Sequence, residues 1–275
     1  MKKLILPLCL LALCIVTSAV CMFAAAKKRA VVPSDKLVTR EITVASFHEI
    51  EAEFFDVEVT VGDATGKATL TAPDNIIDDV VVKVAGGKLS ITFKPKTDNH
   101  IKSLSGYHTT LRVTAPYIDE ADASLSAKVT FVGDMTVPGG ASYEAETSGS
   151  VKLNGLTVNG KCEFDVDTSG SVVVESLTAA GKAEFGADTS GSIVVKTLTA
   201  QSVKAKADTS GSVTLKSGKA NSAIFNADTS GSIKAAGLQV EVATASADTS
   251  GSIKCNVKNL TSSQDTGGSV KNSLR

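Results

Sequence analysis

The chain has 275 residues, 43% of them hydrophobic and only 4% aromatic, and a formal net charge of −1. A balance of 28 basic against 29 acidic residues argues against partnership with nucleic acid or with an anionic membrane surface. Five cysteines, three of them within the first 21 residues, exclude a disulfide-stapled scaffold, so stability must come from a continuous apolar core.

Met1-Lys2-Lys3 opens the chain, an apolar stretch runs from Leu4 to Ala26, and Ala24-Ala25-Ala26 precede Lys27-Lys28-Arg29. A basic start, an apolar middle and a small-residue end are the parts of an export signal. This predicts a protein that leaves the cytoplasm for the periplasm, the outer cell surface or the medium. The apolar run is also long enough to span a bilayer, so two readings of residues 1–26 stand: a cleaved signal peptide, or an uncleaved anchor that would be the one membrane contact. Residues 27–35 read as a linker and 36–275 as a single β domain.

Residues 36–120 are strand-like but irregular and are expected to cap the regular part of the domain. Ile42-Thr-Val44, Val57-Glu-Val-Thr-Val61, Ala68-Thr-Leu-Thr71, Val80-Val-Val-Lys-Val84 and Leu89-Ser-Ile-Thr-Phe93 carry β-branched alternation. Gly86-Gly87 predicts a hairpin or tight corner, and Lys94 to Tyr107 a surface loop. Asp122-Ala-Ser-Leu-Ser126 reads as a degenerate first copy of a turn that then repeats.

Residues 121–270 read as regular rungs. Asp-Thr-Ser-Gly-Ser recurs at Asp167, Asp188, Asp208, Asp228 and Asp248, with a Glu variant at Glu146 and a frayed copy at Asp265. The spacing is 20 or 21 residues and falls to 17 only at the last step. Three positions before the acid stand Tyr143, Phe164, Phe185, Ala205, Phe225 and Ala245, and one position before it Ala145, Val166, Ala187, Ala207, Ala227 and Ala247. Five and seven positions after it come Val151, Val172, Ile193, Val213, Ile233 and Ile253, then Leu153, Val174, Val195, Leu215, Ala235 and Cys255. A further column, Leu156, Leu177, Leu198 and Leu238, is interrupted at Gly218. Three short inward-facing segments per repeat predict an all-β, single-stranded parallel β-helix, a solenoid of 20–21-residue rungs whose like residues stack in columns. Leucine-rich repeats and propeller blades fit neither the residue types nor the period.

Between the strands, Thr-Ser-Gly-Ser has turn composition, with glycine expected to supply the positive φ and the Asp side chain to cap the turn from its backbone amides. Stacked Asp residues would repel across about 5 Å. Outward lysines, Lys152, Lys182, Lys196, Lys204, Lys216, Lys234 and Lys254, are the expected countercharge. The acid column Asp167, Asp188, Asp208, Asp228 and Asp248 is also a candidate calcium site, since carboxylates and hydroxyls at rung spacing are hard oxygen ligands. Turn capping is the default, and no other cofactor is expected.

His48, His100 and His108 form no zinc spacing and are expected on the surface or in loops. Cys162 reads as outward and Cys255 as core; stacked strands place them roughly 19 Å apart, beyond disulfide reach. No catalytic residue is identified. An acidic-polysaccharide lyase or hydrolase would need carboxylates with Arg or Lys in a cleft of long loops, whereas the turns here are short and the arginines after the apolar segment are Arg29, Arg40, Arg112 and Arg275.

From Thr39 to Ser252 the chain resembles the putative auto-transporter adhesin head GIN domain family. The matching pieces are Arg40 to Ile50, Phe55 to Val61, Gly87 to Ile91 and Leu111 to Pro116, together with the Ser-Gly-Ser turns after them. The resemblance implies a right-handed β-helix in an exported envelope protein of Gram-negative bacteria, and carries over no catalytic residue. The sequence thus predicts a non-catalytic adhesin or envelope organiser that presents an Asp/Thr/Ser surface to an unidentified protein or glycan. The alternatives are a polysaccharide-active enzyme and a structural spacer that associates with itself by stacking.

Overall fold

The computed structural model describes residues 30–94, 100–101 and 109–274. Residues 1–26, expected as a signal peptide or anchor, and most of the expected loop 94–107 lie outside the described residues. Two compact units are present. In the smaller, within residues 1–32 and 95–103, Ala30–Val31 pairs in parallel with His100–Ile101. The larger, residues 33–94 and 104–275, holds the repeats.

Each repeat makes one coil of three straight runs, and the strand Ser192–Ala207 carries the three runs of one coil in 16 residues, the turn at Asp208 completing it. It lies parallel to Ser171–Ala187, from Ser171 beside Ser192 to Ala187 beside Ala207. The register slips once, between Ala179 and Lys182, where a 21-residue repeat meets a 20-residue one. The chain is therefore the all-β solenoid that the spacing predicts.

Alternation of apolar and polar residues along each run puts every second side chain inside. One core column passes through Leu70, Leu111, Val57, Val129, Val151, Val172, Ile193, Val213, Ile233 and Ile253, all buried. On the third run the column is Leu89, Ile50, Ala121, Tyr143, Phe164, Phe185, Ala205, Phe225 and Ala245. Here Tyr143 stacks on Phe164 at 5.4 Å and Phe164 on Phe185 at 5.5 Å, while Phe131 meets Tyr143 edge-on at 6.0 Å. The buried Tyr143 hydroxyl donates to the Ile118 carbonyl at 2.8 Å, which satisfies its polar end. Ala205 between Phe185 and Phe225 gives the rings room, as close packing requires.

Two inner columns stand beside those read from the sequence: Cys162, Ala183, Val203, Ala223 and Ala243, and Val158, Ala179, Ala200, Ala220 and Val240. Cys162 is thus fully buried and not outward, and with Cys255 it is a free, buried thiol.

The coils before residue 141 stack out of chain order. Glu49–Glu53 and Asp56–Val61 form a coil that lies between Lys88–Phe93 with Thr110–Ala115 on one side and Glu120–Ser124 with Lys128–Val132 on the other. Beyond it, Lys67–Pro73 adds antiparallel to Thr110–Ala115, and Leu37–Thr43 antiparallel to Lys67–Pro73. Val80–Ala85 closes the third run as a hairpin with Lys88–Phe93. Its corner is Gly86-Gly87 at φ 62° and 87°, the left-handed pair that a two-residue hairpin demands. Between these end strands the 3-10 turn Ile77–Asp79 buries Ile76 and Ile77.

Candidate functional site

The turns between the third and first runs form a continuous ridge. Gly170 N–H donates to the Asp167 carbonyl at 2.8 Å, and the same bond closes every copy from Glu146 to Asp265. The two central residues are both left-handed: φ is 41–47° at the threonines and 65–69° at the serines that follow. The positive φ thus falls on Thr and Ser, and the glycines after those serines adopt ordinary φ, contrary to the sequence expectation. Glycine is required for another reason. A Cβ on Gly170 would sit 2.1 Å from the Ala145 carbonyl oxygen of the preceding coil, and one on Gly211 2.1 Å from that of Ala187.

Adjacent turns bond to one another as the strands do. Ser148 N–H donates to Thr168 O at 3.0 Å, Ser169 N–H to Thr189 O at 3.1 Å, and the series continues to Ser250 and Thr266. This ladder satisfies the turn backbone and explains how non-glycine residues are held left-handed at a cost of roughly 1–2 kcal/mol each. The degenerate first turn lies two residues later than expected. Ser124, not Asp122, takes the acid position, because Ala127 N–H donates to Ser124 O and Ser126 N–H to Thr147 O. Its left-handed residues are Leu125 and Ser126. Phe54, at φ 64°, precedes Leu125 in the same column, so two exposed apolar side chains head a ridge that threonine then continues.

All five candidate calcium ligands stand on this ridge in one column. Each caps its own turn: Oδ1 of Asp167, Asp188, Asp208, Asp228 and Asp248 accepts the next residue's N–H at 2.6–2.7 Å. The Thr189 hydroxyl of the next coil and the Thr168 amide hold the Asp167 carboxyl below its ordinary range. Burial opposes ionisation of Asp208, yet the Thr209 amide, the Thr229 hydroxyl and Lys206 hold it low as well. Among the described residues no set of three or more His, Cys, Asp or Glu converges as metal ligands.

The countercharge differs from expectation. Lys196 pairs with Glu175 at 2.7 Å, and Lys182 and Lys204 with Glu184 at 2.7 and 3.7 Å. The lysine that reaches the turn column is Lys206, 3.6 Å from Asp208 Oδ2.

Beside the ridge, the outward face of the third run carries Glu51, Asp122, Glu144 and Asp165 in one column. Burial raises the carboxyls of Asp122, Glu144 and Asp165, and neighbouring acids raise them further. Asp122 Oδ1 is buried with no hydrogen-bond partner. Gly186 interrupts the column and opens a groove of about 220 Å³ lined by Glu144, Glu146, Asp165, Asp167, Asp188, Asp208 and Lys206. Arg40 and Arg112 pair with Asp78 and Glu58, and neither lines this groove.

His48 lies at the out-of-order coils, where Nδ1 meets Asp119 Oδ1 at 3.0 Å. That bond, with Glu49 and Glu120 nearby, raises its pKa above 6.5. His108 lies outside the described residues.

The model of the family described as putative auto-transporter adhesin, head GIN domain, matches residues 46–179 and 153–273. A putative adhesin from Parabacteroides merdae ATCC 43184 has a similar structure, with a TM-score of 0.67 at 19% identity over 89% of this chain and 99% of that one. A putative lipid binding protein from Parabacteroides distasonis ATCC 8503 gives 0.58 and 20% identity, over 89% and 99% of the two chains. A putative adhesin from Bacteroides fragilis NCTC 9343 gives 0.50 and 18%, over 88% and 100%. At such identities these likenesses speak for the fold. No curated protein matches the sequence.

Proposed function

The chain belongs to the putative auto-transporter adhesin, head GIN domain family, and from that premise we propose that it is a non-catalytic, exported protein of a Gram-negative cell envelope. In this reading it acts in adhesion or envelope organisation, and the turn ridge is its contact surface for a protein or glycan. The observation that carries the reading is the ridge itself. Successive turns present Thr and Ser at about 4.8 Å intervals, each rigidly bonded to the next, beside a column of carboxylates. A rigid, repeated display of hydroxyls and carboxylates offers many weak polar contacts in register, and avidity multiplies them without a deep pocket. Among the described residues no helix is long and apolar enough to cross a membrane.

Three measurements test the proposal. Labelling of surface-exposed protein on intact cells is expected to reach the chain; labelling only after the outer membrane is breached would remove adhesion. Binding to a panel of matrix proteins and glycans is expected to weaken at least tenfold when Thr189, Thr209 and Thr229 are replaced by Asn, which keeps the left-handed turn and removes the hydroxyl row. Release of oligosaccharides from acidic polysaccharides by the wild-type protein would replace this reading with an enzymatic one.

A further inference from the structure

A self-stacking spacer is one of the readings that the sequence allows, and the two ends of the stack speak against it. We propose that polar side chains standing at core positions seal both ends of the stack in the larger unit, so that this unit does not stack on a second copy of itself.

At the C-terminal end the core columns change character within one coil. Gln264 stands beside Ala247 and Asn272 beside Cys255, each in a column that is apolar in the coils before it. Asn272 Oδ1 accepts the Val257 N–H at 3.0 Å, and its Nδ2 donates to the Val257 carbonyl at 2.8 Å. A primary amide bonded on both sides of one residue imitates the peptide group that a further coil would supply, and it ends the ladder there. Gln264 Oε1 does the same for the Val270 N–H at 3.0 Å. Beneath them Val257 and Cys255 are fully buried.

The N-terminal end obeys the same logic with charge. Arg40 stands opposite Leu70, at the head of the column that continues through Leu111 and Val57. Its guanidinium reaches Asp78 Oδ1 at 2.7 Å, in the 3-10 turn whose neighbours Ile76 and Ile77 are buried. End strands of a sheet template pairing with another chain unless something makes that pairing unfavourable. A second copy stacked here would bury an ion pair, and at the other end it would strip two amides of their partners.

The test uses the full-length chain in a mild detergent that shields its apolar N-terminal run. Sedimentation of the wild type from micromolar to about millimolar concentration is expected to show one monomeric species. Gln264→Ala with Asn272→Val restores the residue types of the inner coils and is expected to self-associate at concentrations at least tenfold lower than any wild-type association. Hydrogen exchange supplies a second readout that does not depend on that variant folding. In the wild type the amides of Val257 and Val270 are expected to be protected, and Asn272→Ala to release Val257. End-to-end dimers of the wild type, a folded double variant that stays monomeric, or freely exchanging Val257 and Val270 amides would each overturn the proposal.

Discussion

At residue scale, glycines that look alike in the sequence do different things. Gly211 ends a turn where a Cβ would meet the rigid carbonyl of Ala187, so Gly211→Ala is expected to cost more than about 2 kcal/mol in chemical denaturation. Gly186 would place a Cβ 2.2 Å from Asp165 Oδ1, the mobile end of a side chain. Gly186→Ala is expected to stay within about 0.5 kcal/mol of wild type, since the carboxylate can swing away and alanine suits a strand better. The turn glycine was legible in the sequence as a requirement, but its cause was not. A positive φ is a property of one residue, whereas the contact that forbids a Cβ lies a whole coil earlier in the chain. Asp122 is the opposite case, a half-buried carboxyl, with one oxygen buried and unpartnered, that the fold tolerates. Its folded pKa is raised, so the folded state holds the proton more tightly, and the carboxylate destabilises above that pKa and less as the pH falls. Asp122→Asn is expected to stabilise the protein at pH 7 by about 0.5 kcal/mol after solvent screening, and the gain should shrink on acidification.

At the scale of the element, each turn is capped by a carboxylate that accepts from its own backbone. Because every Oδ1 in the column is engaged with an amide, millimolar calcium is expected to leave the melting temperature unchanged. A calcium-dependent rise that disappears in Asp188→Asn or Asp208→Asn would instead assign a bound cation to the ridge. The link between His48 and Asp119 is a separate, pH-dependent element. The folded pKa of His48 is raised, so its contribution is complete below the unfolded value near 6.5 and is lost as pH rises through the folded one. His48 is partly exposed, which keeps the effect under about 1 kcal/mol. Urea midpoints measured upward from pH 6 are expected to fall in the wild type and to flatten in Asp119→Asn. Most runs of the coil were legible from their columns, because Phe, Val, Ile and Leu contrast sharply with the polar residues between them. The columns through Cys162 and Ala200 were not, since alanine and cysteine carry little contrast and lie next to a bend. The strand Glu49–Glu53 announces itself only as alternating glutamates with Ile50 and Ala52 between them.

Across the whole molecule, the aromatic stack is a shared structural member. Phe164 touches rings on both sides, so Phe164→Ala is expected to cost about 3–5 kcal/mol, with the loss seen in the global unfolding transition and not in local fraying. The regular part of the rod was legible because its period is written in the chain. The order of the first coils was not, because register between strands of different length leaves no periodic mark.

That order has a consequence for synthesis. The early segment Glu49–Val61 ends up with a neighbour on each side, and both neighbours are translated later; one of them is complete only with Val132. A nascent chain therefore cannot wind its coils one by one as they emerge. One edge of Glu49–Val61 is covered once Thr110–Ala115 has been made, and the other stays open for about 70 residues after Val61, until Val132 has emerged.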